Sequence, residues 1–136
     1  MPVHKVNYCY VTVPNRAGQG AMVLGALKDA KVNLLGYSGF PIKGGMAQLD
    51  LVARSMGEIK RVARKNGWRL SQVKKGFLVH GTDRLGAVHQ RIAKLADLKI
   101  SVTAASAVGA GQGRFGMLLW VKDRDYVRAA RALRAR

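Results

Sequence analysis

A chain of 136 residues that is 49% hydrophobic has enough apolar material for a real core, as one domain or two small halves, and too much of it for disorder. Its 24 Lys and Arg against 7 Asp and Glu, a net charge of +17, favour anionic partners such as nucleic acid, although dispersed charges also suit a plain solvated surface. A single cysteine excludes a disulfide framework; no apolar run nears the roughly 20 residues that span a bilayer, and "MPVHKVNYCYVTV" lacks the layout of an export signal, so a soluble, cytoplasmic protein is expected.

Residues 6–13 alternate and are rich in β-branched and aromatic types, which predicts a strand with Cys9 as a buried small hydrophobe. A Pro-Asn-Arg-Ala-Gly turn leads into a helix on which Val23, Ala26, Leu27 and Ala30 have helical spacing. Val32 to Phe40 and Met46 to Ala53 read as two strands of a hairpin, joined by a turn with Pro41, Gly44 and Gly45. Ile59, Val62 and Ala63 mark the inner face of a short helix stopped by Asn66-Gly67. Trp68 to Val73 is a further strand, with residues 70–81 running almost continuously into the next strand, Phe77 to Gly81.

The second round follows the same order. Val88, Ile92 and Leu95 stripe a helix, Ile100 to Val108 and Phe115 to Val121 form a hairpin around "GAGQG", and Val127, Ala130 and Leu133 stripe the last helix. Phe77, Phe115 and Trp120 are expected in the core. A shift of 68 lays Val11 on Val79, Arg16 on Arg84, Gly18 on Gly86, Leu27 on Leu95 and Leu34 on Val102. One added residue then brings Leu49, Leu51 and Val52 onto Leu118, Trp120 and Val121, the mark of a duplicated unit. The expected fold class is α+β: two ferredoxin-like (βαββαβ) units in tandem, residues 1–75 and 76–136, with helices on one face of an antiparallel sheet. The second unit lacks its final strand. Its first strand is then left with an open edge, which predicts completion by the sister unit or by a second chain, as a homodimer or higher oligomer.

The two turns carry the chemistry. Gly18 and Gly20 imitate the start of a dinucleotide fingerprint, but Val23 stands where its third glycine belongs and no acidic residue follows about 20 positions on. The later "GAGQG" opens no helix and reads as a hairpin tip. Both turns keep Asn or Asp, Arg, one variable residue and Gly at a helix start. Asn15 and Asp83 suit caps, Gly18 and Gly86 permit close approach, and free amides with the helix dipole suit a carboxylate. His4, His80 and His89 lack metal-ligand spacing, Cys9 has no matched base, and the seven carboxylates fall mostly at helix ends and turns. No enzyme, metal or cofactor is expected.

"VTVPNRAGQGAMVLGALKDAKVNLLGYSGFP" resembles the ACT-domain family of small regulatory domains, and "DRLGAVHQRIAKLADLKISVTAASAV" resembles the same domain, so the likeness covers nearly the whole chain. The chain departs from the family pattern in Ala17 and Leu85 at the usual proline, in the missing last strand and in its basicity. The resemblance implies a small ligand, commonly an amino acid, held at an interface between two such domains. Carried over residue by residue it nominates Asn15, Arg16, Ala17 and Gly18 with Asn33, Leu34 and Leu35, and Asp83, Arg84, Leu85 and Gly86 with Ser101, Val102 and Thr103. It also implies an allosteric sensor that acts on a partner protein. The alternative is nucleic-acid binding through two basic helices, with Lys60, Arg61, Arg64 and Lys65 on one and Arg124, Arg128, Arg131 and Arg134 on the other, although the aromatic signature of RNA-recognition sheets is missing.

Overall fold

The computed structural model describes residues 2–136. Six strands and four helices follow in the order β1 (Val3–Pro14), α1 (Gln19–Asp29), β2 (Gly36–Ile42), β3 (Met46–Ala53), α2 (Gly57–Asn66), β4 (Lys74–Thr82), α3 (Ala87–Asp97), β5 (Val102–Gly111), β6 (Arg114–Val121) and α4 (Tyr126–Leu133). The chain packs as two compact units, Asn7–Lys74 and Lys75–Arg136, the latter joined by Val3–Val6.

In the Asn7–Lys74 unit the strand order is β2-β3-β1, with Cys9 and Tyr37 both opposite Leu51. Alternation sends Cys9, Val11, Val13, Leu49 and Leu51 to one face, where they meet Val23 and Leu27 of α1 and Ile59 and Val62 of α2. The strand expected over 68–73 shrinks to a bridge between Leu70 and Val11, extended by Ser71 N–H to the Tyr10 carbonyl at 2.9 Å. Residues 32–35 are likewise a connector rather than the start of β2. The left-handed Lys31 (φ 61°) ends α1, and Val32 N–H turns back to the Leu27 carbonyl at 2.9 Å. Gly67 closes α2 in the same left-handed region (φ 72°), so Gly67→Ala is expected to cost about 1 kcal/mol in chemical unfolding.

In the second unit Val3–Val6, β4, β6 and β5 lie side by side. Val6 lies against Gly76, while Pro2 and His4 lie against His80, so Val3–Val6 runs antiparallel to β4. Val3, 1% exposed, joins Phe77, Val79, Leu95, Met117, Leu119 and Leu133 in the core. The flank with no strand of its own is thus filled by the start of β1, whose remainder serves the other unit. Arg136 adds two backbone bonds to that segment: its N–H to the Val3 carbonyl (2.9 Å), and Lys5 N–H to its carbonyl (2.8 Å).

The duplication holds at a shift of 68, without the added residue, except for irregular pairing at Val102/Ala104 and Gly109/Gly111 of β5. Phe77 and Ala105 both face Leu119, as Cys9 and Tyr37 face Leu51, and Lys99 (φ 57°) repeats Lys31. The added residue had placed Leu118 and Trp120 on core positions. A slip of one turns a strand over, so Leu119 and Val121 are the buried pair and Trp120 is half-buried on the opposite face. Each of two helix stripes loses its first member. Val88 and Val127 are 38% and 60% exposed, whereas Leu95, Ala130 and Leu133 are buried as expected and Ala87 and Ala129 join them. Val127→Asp is therefore expected to change stability by less than about 0.5 kcal/mol, whereas Ala129→Asp, burying a charge, should unfold its unit.

Cys9 is fully buried on β1. Burial raises its thiol pKa above the ordinary 9.0; nearby Lys60 works against this and Asp50 with it. A raised folded-state value gives stability that is complete below the unfolded pKa and is lost as pH rises through the folded one. Stability measured across the alkaline range should fall more steeply for the parent than for Cys9→Ala.

Candidate functional site

The first turn is built by backbone bonds. Arg16 N–H donates to the Pro14 carbonyl at 2.8 Å, and Asn15 N–H to the Gly45 carbonyl of the β2–β3 hairpin at 2.9 Å. Gly18, in the left-handed region at φ 89°, then starts α1. The second turn repeats this: Asp83 N–H donates to the Gly113 carbonyl at 2.8 Å, and Gly86 (φ 80°) starts α3. Neither helix has a side-chain cap, so the capping expected of Asn15 and Asp83 is not what these residues do. Gln19 N–H donates to the Arg16 carbonyl at 3.3 Å and Ala87 N–H to the Arg84 carbonyl at 3.1 Å; the other first-turn amides keep their attraction for an anion.

What surrounds the two turns differs. Beside the first lies an open hollow of about 250 Å³, with Asn15, Arg16, Gln19 and Gly20 on one side and Tyr37, Phe40 and Pro41 on the other, over Val13, Ala47 and Leu49. A second hollow, of about 320 Å³, lies along α1 between Leu24, Leu27 and Lys28 and the Val32–Leu34 connector, again bounded by Tyr37. The Tyr37 hydroxyl is 3.0 Å from where a Cβ on Gly20 would stand, so a side chain there would push the ring aside by a few tenths of an ångström. Arg16, Ala17 and Gly18 are exposed.

At the second turn the ring is missing, because Ala105 takes the position of Tyr37. The Asp83 Oδ2 lies 3.2 Å from where a Cβ on Gly109 would stand. Arg84 is drawn aside to Gln90 Oε1 at 3.2 Å, and Leu85 is fully exposed. Ser101, Val102 and Thr103 are at the far end of β5 from Gly109, seven residues or roughly 23 Å beyond Val102. Within its unit Asp83 is therefore not brought together with them. Likewise Asn33 and Leu34 line the hollow along α1, not the one at the turn, and Leu35 is 41% exposed with its N–H on the Val52 carbonyl.

Tyr37, Gln19 and Phe40 were not singled out by sequence. The available signal was an aromatic pair in "GYSGFP" where the second copy has Ala and Val. Among the described residues no three His, Cys, Asp or Glu side chains converge as metal ligands, and no helix is long and apolar enough to cross a membrane. The histidines that do meet, His4 and His80, stack with their Nε2 atoms 3.2 Å apart, and Arg114 Nη2 lies 3.3 Å from His80 Nδ1.

No family model and no curated protein matches the sequence. In three dimensions the chain is similar to protein BT0572 from Bacteroides thetaiotaomicron (12% identity, TM-score 0.74, covering 95% of this chain and 87% of that one). It is also similar to the ligand-free regulatory subunit of aspartate kinase from Thermus thermophilus (11% identity, TM-score 0.63, 98% and 95% covered). A third likeness is to aspartate kinase from Clostridium acetobutylicum (11% identity, TM-score 0.58), where the match spans 97% of this chain and 33% of that one. The shared feature is the fold: an α+β arrangement of six antiparallel strands and four helices, as in the ferredoxin-like regulatory domains of aspartate kinase.

Proposed function

We propose that the chain is a tandem ACT-domain regulatory protein that binds a small molecule, an amino acid, and is not itself an enzyme. The observation that carries this is the hollow at the first turn, where the uncapped start of α1 and Arg16 lie beside the Tyr37 ring. The regulatory domains of similar fold support it. The carboxylate is bound by the free amides at the start of α1 and the Arg16 guanidinium. The ammonium is met by the Asn15 and Gln19 side-chain oxygens, and the Tyr37 ring packs against the remaining side chain.

The two turns are unequal in this reading. Asp83 places a carboxylate beside the second helix start, so it repels a ligand carboxylate there, and Ala105 offers no ring against which to pack. The first copy is the principal site. Its hollow is open to solvent, and β2 beside it exposes Tyr37, Phe40 and Ile42, between 38% and 43% each. A second copy of the chain covers this strand and encloses the ligand, which makes ligand binding and assembly interdependent.

A thermal-shift panel of the common amino acids tests the reading. Ligand at 100 times its dissociation constant adds about 2.7 kcal/mol, which moves the midpoint of a small domain by several degrees. One or a few amino acids are expected to stabilise selectively, and sedimentation should show a dimer favoured in their presence. A flat panel would remove the proposal.

A further inference from the structure

The +17 charge is not explained by the ligand site, and it is not concentrated in one segment. Asn7–Lys74 holds 11 basic and 3 acidic residues, whereas Val3–Val6 with Lys75–Arg136 holds 13 and 4, so the two units carry +8 and +9. In each unit the helix that follows the hairpin presents a cationic outer face. On α2, Lys60, Arg61, Arg64 and Lys65 are all exposed. Around α4, Arg124, Arg128, Arg131 and Arg134 are exposed.

Ordinary helix chemistry does not account for these residues. Cations in a last turn answer the helix dipole, which covers Arg64, Lys65 and Arg131. Lys60 and Arg61, in the first half of α2, and Arg124, before α4, have no such role. Ion pairing does not cover them either. Arg128 reaches Asp125 at 3.4 Å, but among the described residues the other seven have no acidic side chain within ion-pair range. Like charges three and four apart, as in Lys60/Arg64, Arg61/Lys65 and Arg131/Arg134, repel one another on a helix. The fold holds uncompensated positive charge in a regular array.

The rest of each face narrows the partner. The apolar stripes of α2 (Ile59, Val62, Ala63) and α4 (Ala129, Ala130, Leu133) are buried in their own cores. Val127 is the one large apolar side chain that α4 leaves strongly exposed. An interfacial lipid-binding helix needs a free apolar face, and neither helix has one. Single-stranded nucleic acid is held by exposed rings on which bases stack. No ring lies on the outer face of α2, and Tyr126 of α4 is half-buried, stacked on Phe77 at 5.0 Å. What remains is recognition of phosphates along a duplex, with no group placed to read bases.

We propose that the outer faces of α2 and α4 bind the phosphodiester backbone of duplex nucleic acid without sequence preference, an activity separate from the ligand site. The test is fluorescence anisotropy with the full chain and a labelled DNA duplex of about 20 base pairs, from low salt to about 0.2 M. The α2 variant K60Q/R61Q/R64Q/K65Q is compared with K5Q/K43Q/R69Q/K122Q, which removes the same charge from exposed residues elsewhere; R124Q/R131Q/R134Q reports on α4. Thermal midpoints confirm that all three are folded. The parent should bind unrelated duplexes equally. The α2 variant should lose more than about tenfold in affinity near 0.1 M salt, with the log–log salt slope shallower by about 3 to 4, and the control less than about threefold. Equal losses in the α2 variant and the control would reduce the effect to net charge and overturn the assignment. So would absence of parent binding at that salt, or binding to vesicles of equal parts phosphatidylserine and phosphatidylcholine with the same dependence on these residues.

Discussion

Replacing Val3 by Asp is expected to unfold the Lys75–Arg136 unit while leaving Asn7–Lys74 largely protected. Val3 is 1% exposed in a core made otherwise of β4, β6, α3, α4 and nearby residues of the second copy. A carboxylate there is buried without a described partner, at a cost of about 3–5 kcal/mol, against a total of about 5–15 kcal/mol for a typical domain. The backbone adds to the effect, since Val3–Lys5 accepts from and donates to Arg136. Hydrogen exchange followed by mass spectrometry reads the outcome. Protection should collapse in β4, β5 and β6 and persist in β3 and α1. Phe77→Ala, which removes the largest fully buried side chain of the same core, should give the same pattern at about 3–5 kcal/mol. If Val3→Asp leaves exchange in β4 and β6 unchanged, the start of β1 is not part of that core.

The second large effect concerns the ligand. With the amino acid found by thermal shift, Arg16→Ala should weaken binding by about 10- to 100-fold, because a hydrogen bond to a charged group contributes about 1.5–3 kcal/mol. Gly18→Val should abolish it. The turn needs φ 89° at that position, and a β-branched residue held there is strained by about 1–3 kcal/mol while its methyls crowd the amides that hold the carboxylate. Tyr37→Ala should lower affinity and also relax which side chains are accepted. Arg84→Ala is the control. Its guanidinium is engaged with Gln90, next to a turn that carries Asp83, and affinity should stay within about twofold, measured by calorimetry. Equal losses for Arg16→Ala and Arg84→Ala would mean that both turns bind.

Much of the fold was legible because each unit is governed by local periodicity. β3 falls at Met46–Ala53 as expected, and Ile59, Val62 and Ala63 are all buried. Where the expected pattern failed, a nearby small residue had the better claim to the core. Ala87 and Ala129 are weak hydrophobic signals beside Val88 and Val127, yet they are the buried residues, because which side of a helix meets the sheet is settled by the packing of the whole unit. The aligned glycines of the hairpins misled by one residue, enough to exchange Leu119 for Trp120. At the site, the Asn15 and Asp83 turns and their glycines were recognisable from repetition. Tyr37 was not, because its role depends on how β2 lies across α1, from Leu51 on one side to Gly20 on the other.

Element types and the two left-handed glycines that open α1 and α3 follow from interactions within a few residues, and the repeat at 68 residues is visible in the sequence itself. Tertiary structure alone decided which segment closes the flank of β4 and which turn has a walled hollow. Both depend on contacts between residues far apart in the chain, Val3 with the second-copy core and Tyr37 with Gly20. Neither has a periodicity to announce it. Hydrophobic burial chooses between such pairings only once the strands lie side by side.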